Sequence, residues 1–294
     1  MRIAAVDVGS NSTRLLVADI TASGNVVPVA RDLQTTRLGR GMGGGRLLAP
    51  AMESTLRVIK QFVDRAERAG AAKIVIAATS AVRDAANRDD FASAVRAATG
   101  LELQVLSGIE EARLSYLGVT GALGDYVQNT VVVDIGGGST EFIWCPGGRA
   151  RFFSVNAGAV RMTENGYGRG QIKSALEPAL QSIRRDILPG EVVGVGGTVT
   201  TLAAVAQGLR RYDPEKVHGY RLSRQRVDEL YYMLQNMPLA ARKELPGLQP
   251  ERADIIPAGT RILSRILHGL GTGHVLVSEA DILYGLVMEA KKMS

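Results

Sequence analysis

Two segments of this chain repeat one pattern, and the repeat restricts the fold more than any bulk property does. Asp7-Val8-Gly9-Ser10-Asn11-Ser12-Thr13 and Asp134-Ile135-Gly136-Gly137-Gly138-Ser139-Thr140 both read aspartate, aliphatic residue, glycine, two variable residues, serine, threonine. An apolar run precedes each (residues 3–6 and 131–133) and another follows (15–20 and 142–144). That order predicts strand, tight glycine turn, strand. Two such hairpins imply two related lobes that face each other across a cleft. Their glycines let the backbone approach phosphate oxygens, which N–H and hydroxyl groups then bind. The aspartates suit a hard cation such as magnesium.

The rest of the chain reads as one plan carried out twice. Apolar runs at 3–8, 15–20 and 26–34 predict three consecutive strands, with Ser23-Gly24-Asn25 turning the second into the third. Residues 37–46 are glycine-rich and basic and read as a mobile loop. Helical spacing over 49–69 stops at Gly70, a short buried strand spans 73–78, and 80–99 is helical with a break near Asn87. A strand at 101–106 leads into a helix from Ser107 to about Gly121, with Ser107 and Glu110 spaced as a capping box. The polar connection at 121–129 divides the chain into lobes at 1–122 and 123–294, the last helix being free to pack back on the first lobe. Strands at 129–134, 140–144 and 149–156 restart the plan, followed by a helix at 171–188 and a strand at 192–195. Gly196-Gly197 then leads into a helix at 200–207. Helices at 223–236 and 251–268, a strand at 274–278 and a helix at 281–290 complete an α/β arrangement.

Composition narrows the function. Lys and Arg number 35 against 29 Asp and Glu, and the net charge of +6 suits an anionic ligand. No block of like charges marks a nucleic-acid tail, so specific nucleic-acid binding is not expected. Cys145 is the only cysteine, which rules out an internal disulfide; beside Trp144 and Pro146 it is expected to pack. Asp7 interrupts the first apolar stretch, against a signal peptide. The uncharged stretch 192–209 contains Gly194, Gly196, Gly197, Thr198, Thr200 and Thr201 and reads as strand, loop and buried helix rather than a membrane span. A cytoplasmic protein is expected. His218, His268 and His274 are scattered, and no Ser-His-Asp or Cys-His arrangement is visible.

Five blocks occur in order: Asp7 to Ser12, Ala78-Thr79-Ser80-Ala81-Val82-Arg83, Ser107-Gly108-Ile109-Glu110-Glu111-Ala112, Asp134 to Glu141, and Gly194-Val195-Gly196-Gly197-Thr198. Together they resemble the exopolyphosphatase and guanosine pentaphosphate phosphohydrolase family, from the first residues to the last helix. The resemblance implies a two-lobed actin-like ATPase (ribonuclease H-like) fold with an interlobe cleft, and magnesium-dependent hydrolysis of phosphoanhydrides. Such a reaction needs donors for anionic oxygens, a cation, and a base that orients water. Asp7, Gly9, Ser10, Asn11, Ser12, Gly136, Gly137, Gly138, Ser139, Thr140, Gly196, Gly197 and Thr198 are the candidate phosphate-binding residues. Asp134 is the firmer magnesium candidate of the two aspartates. Glu110 and Glu111 open a helix, and the sequence itself does not choose between them. The family block implies Glu111 as catalytic base and Glu110 as a cap.

Glu141 stands where the first hairpin has Arg14. A carboxylate beside phosphate is repelled unless a cation or water intervenes. Glu141 is therefore a metal ligand, a second water-orienting group, or an outward strand residue. Arg83 and Arg14 are candidate phosphate clamps, since a guanidinium fork matches phosphate oxygens; Arg14 equally reads as a solvated strand residue. The block from Arg252 to Gly259 resembles a late family block, with a packing or loop-supporting role expected rather than chemistry. Relatives carry charged residues where this chain has Leu283 and Tyr284. Longer relatives continue into a helical extension that helps hold long polyphosphate, so tight, processive handling of long chains is not expected here. The expected substrate is inorganic polyphosphate, with guanosine pentaphosphate as the alternative; a small-molecule kinase and a non-hydrolysing polyanion sensor are more distant readings. No membrane partner is expected, and a homodimer is left open.

Overall fold

The computed structural model describes residues 1–123, 129–166 and 168–292. By internal contact the chain divides into residues 1–124 together with 280–294, and residues 125–279. The connection expected at 121–129 falls largely on 124–128, outside the described residues, and its first three positions are helical.

The first unit contains β1 (Arg2–Val8), β2 (Thr13–Ile20), β3 (Val26–Gln34), α1 (Ala49–Arg68), β4 (Lys73–Ala78), α2 (Ser80–Arg83), α3 (Arg88–Thr99), β5 (Leu103–Val105) and α4 (Gly108–Leu123). Its sheet runs β3-β2-β1-β4-β5. β1 is antiparallel to β2 and parallel to β4, so it lies at the centre and is covered on both faces. Its near-continuous apolar sequence follows from that position. Ala4, Val6 and Val8 pack with Leu15, Val17, Phe62 of α1 and Phe91 of α3. Ile3 and Ala5 pack on the opposite face with Leu16, Leu114 of α4, and Leu286 from the end of the chain. Full burial of a side chain such as Phe62 is worth about 2–3 kcal/mol.

The second unit repeats the order. It contains β6 (Thr130–Ile135), β7 (Thr140–Trp144), β8 (Arg151–Val155), α5 (Ala159–Glu164), α6 (Arg169–Asp186), β9 (Glu191–Val195), α7 (Gly196–Ala206), α8 (Pro214–Val217), β10 (Arg221–Ser223), α9 (Arg224–Asn236), α10 (Leu239–Lys243), α11 (Ile256–Leu270) and β11 (His274–Val277). Its sheet runs β10-β11-β9-β6-β7-β8. Taken from the other end, β8-β7-β6-β9-β11 matches β3-β2-β1-β4-β5 strand for strand, and β10 adds an antiparallel edge. The helix α12 (Ile282–Lys292) returns to the first unit and packs against β1 and α4.

Several expectations change here. Residues 37–46 are not a free loop: Leu38 is fully buried, and Gly39 and Arg37 donate backbone N–H groups to the carbonyls of Ser10 and Asn11, both at 2.8 Å. The helix expected from residue 200 starts at Gly196, which adopts φ +83° and presses on Asp134 so closely that a Cβ there would overlap Oδ1. Helices α5, α8 and α10 and strand β10 were not expected; at three to six residues they are too short to show a period. Leu283 is buried in the core of the first unit, and the Tyr284 ring and hydroxyl engage Arg31, so an apolar contact and a cation–π pair stand where charges were expected in relatives. Among the described residues, no helix is long and apolar enough to cross a membrane, and 192–209 forms β9 and α7.

Candidate functional site

The two aspartates occupy the same register. Asp7 faces Arg14 across β1 and β2, and Asp134 faces Glu141 across β6 and β7. In each turn the glycine N–H closes on the serine carbonyl, Gly9 to Ser12 at 3.0 Å and Gly136 to Ser139 at 3.1 Å. Residues directly opposite in an antiparallel pair share a face, with Cβ atoms about 5 Å apart. The same backbone thus presents an opposite-charge pair in one unit and two carboxylates in the other.

In the first unit, Arg14 is neither a phosphate clamp nor a solvated residue. Its Nε and Nη2 donate to Asp7 Oδ2 at 3.0 and 2.6 Å, and Nη1 donates to Asp281. Burial opposes the Arg14 charge, but the fields of Asp281 and Asp7 hold its pKa well above the ordinary value. Burial pushes the Asp7 carboxyl up, against the opposing pull of Arg14. Asp7 Oδ1 is buried and has no hydrogen-bond partner. Ser10 Oγ lies 3.1 Å from Ser80 Oγ at the start of α2, and Asn11 Nδ2 donates to Ser12 Oγ at 3.2 Å, so the first two sequence blocks meet.

The two glutamates of α4 part company. Glu110 is exposed; its carboxylate accepts the Ser107 N–H at 2.8 Å while its own N–H donates to Ser107 Oγ at 3.2 Å. These bonds hold its pKa below the ordinary value. Glu111 is buried, and its Oε2 accepts from Arg83 Nη1 at 2.8 Å. The same nitrogen donates to the Leu106 carbonyl at 3.0 Å. Arg83, expected as a phosphate clamp, holds Glu111 through Nη1.

In the second unit, Asp134 and Glu141 are both buried, which excludes an outward position for Glu141. Glu141 Oε1 accepts from Ser154 Oγ at 2.7 Å. Like charges placed opposite one another on a sheet are destabilising. The pair fits a divalent cation such as magnesium, which takes one or two carboxylates and keeps several waters. Among the described residues, no group of three or more His, Cys, Asp and Glu side chains gathers as a denser metal site. Thr140, a candidate phosphate residue, is fully buried and donates its hydroxyl to the Ala157 carbonyl at 2.5 Å, so the hydroxyl is already engaged. Thr198 is likewise buried with its side chain against Gly259 of α11. What remains at Gly196, Gly197 and Thr198 is the first turn of α7, whose N–H groups and dipole favour an anion.

Three side chains distant in sequence support the glycine turns and the Arg14 network: Arg252, Arg161 and Asp281. Arg252, expected to pack or to support a loop, is buried with its guanidinium against Gly197, where any side chain would collide with it. Arg161 donates to the second glycine turn. Asp281 completes the Arg14 network. Each is remote in sequence from the turn it supports, so no local spacing pointed to it. His218 accepts the Glu279 N–H at 3.2 Å through Nδ1, and Cys145 is half-buried.

Residues 16–292 match the Ppx/GppA phosphatase family. Exopolyphosphatase 2 of Mycobacterium tuberculosis is 34% identical, over 98% of this chain and 98% of that protein. The crystal structure of the Aquifex aeolicus Ppx/GppA family member superposes with a TM-score of 0.82 at 29% identity, covering 100% of this chain and 98% of that one. An exopolyphosphatase from Cytophaga hutchinsonii superposes at 0.90 with 23% identity, covering 100% and 98%, a likeness of fold alone. The repeated sheet order agrees with these matches and with the actin-like fold expected from the sequence.

Proposed function

This chain belongs to the Ppx/GppA phosphatase family and is a phosphoanhydride hydrolase, and from that premise we propose that it releases the terminal phosphate of inorganic polyphosphate with the help of magnesium. The observation that carries the reading is the second glycine turn. Its carbonyls are tied back, and two buried carboxylates share one sheet face at its start. Relatives named exopolyphosphatase, such as that of M. tuberculosis, support polyphosphate over other phosphoanhydrides.

In this reading Glu111 accepts the proton of the attacking water, and Arg83 fixes the direction of its carboxylate. Water oxygen bonds to the terminal phosphorus, the bond to the bridging oxygen breaks, and the shortened chain leaves with the electron pair. N–H groups of the Gly136–Ser139 turn and of the first turn of α7, with the Arg252 guanidinium, bind phosphoryl oxygens. The Gly9–Ser12 turn does the same in its own unit. Asp134 and Glu141 would hold the divalent cation, which when bound offsets charge building on the phosphoryl oxygens. General-base assistance accounts for a factor on the order of 10² to 10⁴.

The test is magnesium-dependent phosphate release from polyphosphates of graded length, run beside guanosine pentaphosphate. Preferential release from polyphosphate is expected. Preference for the nucleotide would move the assignment to guanosine pentaphosphate hydrolysis, and phosphate transfer from ATP to an acceptor would move it to a kinase.

A further inference from the structure

The two glycine turns are held differently, and the difference falls on one side chain. In the first unit the carbonyls of Ser10 and Asn11 are both held by backbone donors, Gly39 and Arg37. In the second unit Gly137 corresponds to Ser10 and Gly138 to Asn11. The Gly137 carbonyl accepts from the backbone N–H groups of Val160 at 2.8 Å and Arg161 at 3.0 Å, and the Gly136 carbonyl from Ala159 at 3.0 Å. The Gly138 carbonyl instead accepts from the Arg161 side chain, Nε at 2.7 Å.

A trans peptide is planar, with its C=O and the following N–H pointing in opposite directions. Holding the carbonyls of Gly136, Gly137 and Gly138 toward α5 therefore turns the N–H groups of Gly137, Gly138 and Ser139 away from α5, in succession. Consecutive N–H groups aimed one way form an anion-binding concavity. Glycine at positions 137 and 138 leaves these peptide units free to rotate unless something restrains them. For the last of them the restraint is a side chain, not the backbone.

We propose that Arg161 is a positioning residue: by holding the Gly138 carbonyl it fixes the Ser139 N–H toward the phosphoryl group bound at the second turn. The inference rests on the reading that this turn binds phosphate. It needs one N–H donor at the right place and no charge on the substrate. A bidentate phosphate ligand would need the guanidinium fork. Lysine can supply a single donor, and methionine none, so the two substitutions separate these roles.

The experiment measures KM and kcat for polyphosphate, the inhibition constant of inorganic phosphate, and the unfolding midpoint for wild type, Arg161→Lys and Arg161→Met. Arg161→Met is expected to raise KM and the phosphate inhibition constant together by about tenfold, as loss of one charge-assisted hydrogen bond requires. Arg161→Lys is expected to stay within about threefold of wild type on both. Should Arg161→Met fail to fold, Arg161→Leu replaces it as the variant without a donor, with the same rise expected and an unchanged inhibition constant overturning the proposal. Arg161→Lys as impaired as Arg161→Met overturns it, because the fork would then be needed. Unchanged constants in a folded Arg161→Met overturn it while leaving the hydrolase reading intact. No phosphate release by the wild type overturns both.

Discussion

Glu110 and Glu111 carry the same side chain on adjacent residues, and the helix sends them about 100° apart. One caps α4 from the surface, and the other is buried in the grip of Arg83. Their substitutions should therefore fail in different assays. Glu111→Gln should keep the fold yet lose on the order of 10² to 10⁴ in turnover, measured as phosphate release. Glu110→Ala should keep turnover and lose less than about 1 kcal/mol of stability, given the exposure of the pair. Glu110 is held below its ordinary pKa of 4.5, so its contribution is present above that value and lost as pH falls through the lower folded value. Urea unfolding of wild type and Glu110→Ala should differ at pH 7 and converge in acid. Asp7 runs in the opposite sense. Its folded pKa is raised, so its term is fully present below the ordinary 3.8 and lost as pH rises through the folded value.

At the scale of elements, the helix that carries Glu111 is placed by contact with α12. A Cβ on Gly118 of α4 would fall on the Asp281 carbonyl, and one on Gly285 of α12 would fall on the Leu114 carbonyl. The two backbones touch, and nothing larger than hydrogen fits. Gly285→Ala should cost about 1–3 kcal/mol, read from denaturant unfolding, and should lower turnover by shifting α4. This crossing was not legible in the sequence, because small residues on two distant helices carry no periodic signal. The strands were legible: β3 and β4 take the bounds that apolar runs and turn residues predicted, and Ser107 with Glu110 marked the start of α4. The duplicated hairpins could be found because a glycine turn is a local requirement. What each hydroxyl or guanidinium does could not. Thr140 and Thr198 share the pattern of phosphate-binding threonines but turn their side chains inward, and Arg14 is claimed by Asp281, far along the chain.

At the scale of the whole molecule, the chain carries out one plan twice and then returns to its beginning. Residues 281–290 cover Ile3, Ala5 and Leu16 and supply the second carboxylate to Arg14, so the first unit is completed from the far end of the chain. Asp281→Ala should leave Arg14 under-satisfied and cost about 1–3 kcal/mol, visible as a lower urea midpoint. The net charge of +6 suits a polyanion, and Arg40 and Arg46 are exposed on the segment tied to the first turn. Replacing Arg37, Arg40 and Arg46 with alanine should weaken binding of long polyphosphate and flatten its salt dependence, whereas short chains should change little. The central claim is that a carboxylate at position 111 directs water onto a phosphoryl group bound at glycine turns. It is tested most directly by timing magnesium-dependent phosphate release from polyphosphate by wild type and Glu111→Gln side by side. The account predicts steady release by the wild type and a loss of at least about a hundredfold in a variant that still binds polyphosphate. Near-equal rates would contradict it.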